Sequence, residues 1–159
     1  MNGRAAARAI DALRRGWPIG LGALTLLSIE GATPGSLAAF DPEATAPLLL
    51  SGSRAVTLKL VNQKAAGDPL MPVLIARDRW IDGPAAAMAI ADPVTDLATP
   101  FKGPFRALPL EHGDAAGAAL LLARLAGILP AFFVGNDDAP VEADCAVEDV
   151  TAFTDHGRL

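Results

Sequence analysis

Between Ala115 and Gly127, AAGAALLLARLAG, nearly every side chain is apolar or small and Arg124 is the only charge. A helix here is greasy around most of its circumference, and such a helix is buried rather than laid on a surface. The pattern therefore predicts a core helix packed on both sides, with Leu121 and Leu122 equally inside. Asp114 suits the N-cap, because its carboxylate can accept from the first free backbone N–H groups, and Gly127 can take the left-handed turn that stops the helix. Beyond the Leu129-Pro130 turn, Ala131 to Val134 reads as a short buried strand. A membrane span is excluded, since Arg124 sits mid-segment and Pro130 interrupts the run.

The same periodicities divide the rest of the chain. Residues 4–15 predict a helix with Ala5, Ala9, Ile10, Ala12 and Leu13 on one face, arginines on the other, and Gly16 as its stop. Leu24 to Ile29 reads as a strand. Thr33-Pro34 is a helix start, a hydroxyl N-cap followed by Pro where its missing N–H is no loss, and the helix runs to Phe40. Ala46–Leu50 and Val73–Ala76 are compact apolar strands, with an amphipathic helix over Arg54–Leu60 that turns Ala55, Leu58 and Val61 inward. Asp82-Gly83-Pro84 opens a helix through Ile90, and Phe105–Leu110 is a brief strand. Residues 144–153 read as an edge strand followed by a polar tail that contains His156. These elements make an α+β fold, a mixed β-sheet with packed helices, as residues 1–143, with residues 144–159 as a connector and tail.

Composition narrows the class further. The chain has 159 residues, 52% hydrophobic and 19% charged, enough for one domain with a single core. A formal charge of −5 leaves no basic footprint for nucleic acid or an anionic membrane. The single cysteine, Cys145, excludes an internal disulfide and a multi-cysteine zinc site. The N-terminus has charges spread through it and no apolar stretch of signal-peptide length, so a cytoplasmic protein is expected.

Four segments carry a resemblance. LARLAGILPAFFV at 122–134 resembles the helix and strand that close the 3,4-dihydroxy-2-butanone-4-phosphate synthase fold, also found preceding GTP cyclohydrolase II in bacterial riboflavin-pathway polypeptides. RAIDALRRGWPI at 8–19 resembles the family's opening helix and its Gly-x-Pro step into the first strand. Leu24 to Pro34, ending Glu30-Gly31-Ala32-Thr33-Pro34, resembles its second strand and Ala-Glu-x-Ala-Thr-Pro turn, and Leu48–Leu60 resembles a later strand and helix. The resemblance implies a synthase-like fold and a homodimer.

It also locates two departures. The family places an acidic, metal-binding loop between its first two strands, where this chain has Gly20-Leu21-Gly22-Ala23. Its His-Thr-Glu motif, whose His binds the divalent metal, falls on Ala115-Ala116-Gly117. The expectation is therefore a catalytically inactive, riboflavin-related domain that has no metal or cofactor, acts through packing or regulation, and partners a GTP cyclohydrolase II domain or subunit. The alternative is a small phosphorylated-metabolite binder reusing the old cleft. Its candidate residues are Glu30, which matches a family position, Lys102 and Arg106, which bracket a Gly-Pro turn that suits an anion, and His112. A lone His at a helix start ordinarily makes a local hydrogen bond, and no second His or Cys accompanies it.

Overall fold

The computed structural model describes residues 3–58, 71–95 and 104–157. It is an α+β fold in which helices pack on a seven-stranded mixed sheet. The strands are β1 (Ile19–Leu21), β2 (Leu24–Ser28), β3 (Leu48–Leu50), β4 (Val73–Ile75), β5 (Ala107–Leu108), β6 (Phe132–Val134) and β7 (Ala143–Cys145), in the order β5-β4-β3-β6-β2-β1-β7. Every pairing is antiparallel except β1 with β7 at one edge. β1 and β2 form a hairpin closed by Gly22 and Ala23, with Gly22 at φ 56°, the positive value that a tight two-residue turn requires at its first central position.

Side chains alternate across the strands and divide the core in two. On one face Ile19, Leu21, Leu26, Leu49 and Phe132 meet the helices α1 (Gly3–Arg14), α5 (Gly113–Ala126) and α6 (Val147–Gly157). On the other, Leu27, Leu48, Leu50, Val73, Ile75 and Phe133 meet α2 (Pro34–Phe40), α3 (Gly52–Thr57) and α4 (Pro84–Ala91). The inward face of α1 is the expected one, with Ala5, Ala9, Ile10, Ala12 and Leu13 all buried. Gly16, at φ 75°, ends the helix and lets the backbone press on Gly31, where an added Cβ would stand 2.6 Å from the Gly31 carbonyl oxygen. α2 begins as the Thr-Pro pair dictates: the Thr33 hydroxyl accepts from the Ser36 N–H at 3.0 Å, and the Ser36 hydroxyl accepts from the Thr33 N–H at 2.9 Å.

Several expectations are corrected. α5 is not buried all round. Asp114, Gly117, Leu121 and Arg124 form an exposed stripe at helical spacing, and Leu121 is 36% exposed where Leu122 is fully buried. His112, not Asp114, stands at the N-cap, without a side-chain bond to the helix, and Asp114 lies in the first turn, where its charge favours the helix dipole. Gly127 does take the left-handed stop, at φ 75°.

The edge strand expected over 144–153 is only β7, and α6 follows at once. Val150 and Phe153 recur at helical spacing toward the core, Val147 lies against Gly22, and the Asp149 carboxylate accepts from the Ala146 N–H at 2.8 Å to hold the helix start. α6 packs against α1 and α5, and the backbone at His156 belongs to it. The helix expected from Arg54 starts earlier, at Gly52, capped by Ser51, and ends at Thr57. Arg54 points inward and donates to the Ile90 carbonyl at 2.8 Å. Leu60 and Val61 lie outside the described residues. Trp80, 40% exposed, covers the core margin against Phe105, with ring centroids 5.6 Å apart. Among the described residues no helix is long and apolar enough to cross a membrane.

Candidate functional site

The second helical layer does not extend over the whole sheet. Toward β7 it includes Phe40 of α2, whose ring lies against Gly135, and Gly135 donates its N–H to the Thr25 carbonyl at 2.8 Å. Past that point the register places Thr25 beside Gly20 and Gly20 beside Asp144, a single row across β2, β1 and β7. With strands about 4.8 Å apart, the ends of this row are about 10 Å from one another. Gly20 has no side chain, and the Asp144 carboxylate lies in the space its Cβ would take.

An open cleft of about 520 Å³ lies over this row and the Gly22-Ala23 turn. Asp137 and Val141, from the segment joining β6 to β7, border it, and His112 closes the end at the start of α5. Thr25 is 8% exposed. Among the described residues its hydroxyl makes no hydrogen bond, nor do the side chains of His112, Asp137 and Asp144 make one or form an ion pair, and no buried side-chain polar atom is left unpaired. The Thr25 hydroxyl therefore opens on the cleft. On the opposite face, burial pushes the Cys145 thiol up to about 11, and the nearby Asp149 and Asp144 carboxylates add to the shift, so it stays protonated and unreactive at neutral pH.

The candidates from sequence are scattered. His112 borders the cleft. Glu30 is exposed beyond the far end of β2, in the turn that carries Gly31 against Gly16, about 20 Å of extended chain from Leu24. Arg106 precedes β5 at the other edge of the sheet, where it pairs with Asp78 at 3.2 Å on the surface. Lys102 lies outside the described residues. Thr25, Asp137 and Asp144 were missed. The only signal for Thr25 was a hydroxyl inside the otherwise apolar Leu24–Leu27, while Asp144 becomes meaningful only once β7 pairs with β1.

A synthase-type metal centre does not fit this arrangement. The two segments that the resemblance matches to the ligands meet each other as hydrocarbon: a Cβ at Gly22 would stand 3.5 Å from the Ala115 methyl, and Ala115 and Ala116 are buried. Among the described residues no group of three or more His, Cys, Asp or Glu side chains is placed to hold a metal ion. No protein-family model matches the chain, and no curated protein matches it either.

Proposed function

We propose that this chain is a non-catalytic, cytoplasmic relative of the 3,4-dihydroxy-2-butanone-4-phosphate synthases, a riboflavin-related module that forms a homodimer and supports or regulates a GTP cyclohydrolase II domain or subunit. The observation that carries the reading is the β1–β2 hairpin. A two-residue turn stands where the synthases have an acidic loop, and its Gly22 packs on the Ala115 that matches the family's metal-binding His. Synthase chemistry needs a divalent ion held by hard oxygen and imidazole ligands while protons move, and alanine and glycine supply none. Both departures point the same way, and one cannot compensate for the other.

Two measurements on the purified chain test this reading. Incubated with ribulose 5-phosphate and Mg²⁺, it is expected to release no formate above a blank. Formate that disappears in His112→Ala overturns the non-catalytic assignment. Mixed with a GTP cyclohydrolase II, it is expected to co-elute and to change the cyclohydrolase rate. A monomer by light scattering at micromolar concentration that neither co-elutes nor alters the rate overturns the module.

A further inference from the structure

We infer that the cleft over Thr25, Gly20 and Asp144 binds a small organic cation, a protonated amine held by Asp144 and Asp137 with a second polar group on the Thr25 hydroxyl. This goes beyond the reading above and stands or falls apart from it. Three observations carry it. The first is the Thr25 hydroxyl, on a residue 8% exposed and without a hydrogen bond to the protein, opening on the cleft. Open to the cleft, it is free to exchange a hydrogen bond with a ligand's polar group.

The second is electrostatic. Asp137 and Asp144 border the cleft without an ion pair, and among the described residues that line it there is no lysine or arginine. The field in such a cleft repels phosphates and carboxylates and attracts ammonium groups. Arg106, the described arginine expected to serve an anion, is on the opposite edge and already paired.

The third is shape. Gly20 leaves the middle of the row without a side chain, so the Asp144 carboxylate reaches over β1 toward Thr25 instead of projecting off the sheet edge. The volume, about 520 Å³, falls within the roughly 300–1,000 Å³ usual for small-molecule sites. A metal ion is a poorer occupant, because no three ligating side chains converge. His112 completes the end wall with an imidazole that can donate to or accept from the ligand's polar part.

Spermidine serves as the cationic probe and ribose 5-phosphate as the anionic one, each titrated calorimetrically in about 150 mM salt to screen diffuse surface attraction. Spermidine is expected to bind one per chain and ribose 5-phosphate not at all. Asp144→Asn is expected to weaken spermidine about tenfold or more, and Thr25→Val about three- to tenfold, the loss of one hydrogen bond. Asp78→Asn, at the far edge, is expected to leave binding unchanged. Ribose 5-phosphate binding in place of spermidine overturns the proposal. An Asp78→Asn loss equal to that of Asp144→Asn also overturns it, since it reveals only attraction to an acidic protein.

A measurement on the unaltered chain guards against variants that fail to fold. The protein has two histidines, so its imidazole resonances are assigned with His156→Ala alone. Spermidine is expected to move the His112 signals and leave those of His156 in place. Unmoved His112 signals at a saturating concentration overturn the proposal.

Discussion

The two sides of the sheet are built by different means. One is covered by three helices of 12, 14 and 11 residues whose inward faces are almost entirely alanine, leucine, isoleucine and valine, so that layer is held by area removed from water. The other has helices of 7, 6 and 8 residues, too short to bury much, and polar side chains tie their ends together. Asp41, at the end of α2, accepts from the Thr45 and Ala46 N–H groups at 3.0 and 2.9 Å and pairs with Arg77 at 3.0 Å, both side chains 4% exposed. Arg77 also donates to the Ile81 carbonyl and lies over the Phe133 ring. Directional bonds hold loops where long helices do not reach. On the same side, the space over Thr25, Gly20 and Asp144 is the cleft.

The apolar layer should be the easier to ruin with a single charge. Leu122 is fully buried in the hydrophobic cluster that α1 and α5 form with the sheet. Leu122→Asp is expected to lower stability by more than about 4 kcal/mol, enough to leave the chain largely unfolded at 25 °C. A circular-dichroism melt reads this directly. A melting temperature within a few degrees of the parent would mean that α5 does not pack as described.

The polar side should break next, and asymmetrically. Asp41→Ala leaves a buried guanidinium without its carboxylate and strips two backbone N–H groups of their acceptor, at an expected cost of about 3–5 kcal/mol in urea unfolding. Arg77→Met keeps the two N–H bonds to Asp41 and replaces the guanidinium with a flexible apolar chain, so the expected loss is smaller. Equal losses would show that the ion pair alone matters and that Asp41 does not organise the Phe40–Ala46 turn.

What was legible in the sequence follows the same division. α1, α2 and the Gly127 stop were readable because each rests on local chemistry: a helical stripe, a Thr-Pro cap, a glycine free to turn left-handed. The short β1–β2 connection follows from the resemblance, although Gly20 and Leu21, expected within the connection, belong to β1 and leave only Gly22 and Ala23 to turn. The polar side was not, since Asp41 and Arg77 are 36 residues apart and neither carries a periodic signal. Arg54 is inside because Ile90, on another element, offers a carbonyl, a contact that no local pattern encodes. The row of Thr25, Gly20 and Asp144 is assembled by the parallel pairing of β1 with β7, a contact between the two ends of the chain that no local pattern encodes. Residues 144–153 are expected as an edge strand, while the Asp149 cap and the inward packing of Val150 and Phe153 decide for a helix after β7.

The smallest expected effect separates two neighbouring leucines in one helix. By composition, Leu121 and Leu122 are equivalent members of an apolar run, and a helix buried on all sides would punish a charge at either. In the fold they point in different directions: Leu121 shares a stripe with Asp114, Gly117 and Arg124, the exposed positions of α5. A carboxylate at 121 reaches water without crossing the core and sits three residues before Arg124, close enough for a weak surface attraction. It forfeits the partial cover of the leucine and a little helix propensity, together about 1 kcal/mol. Leu121→Asp is therefore expected to melt within a few degrees of the parent, while Leu122→Asp does not fold. The comparison is made by melting both variants side by side at the same low micromolar concentration, with light scattering on the first to separate folding from association. If Leu121→Asp unfolds the protomer as completely as Leu122→Asp, the exposed stripe is wrong and α5 is enclosed on both sides after all. If it stays folded but changes a dimer to a monomer, the stripe is the dimer contact, and its small cost to the protomer is unaltered.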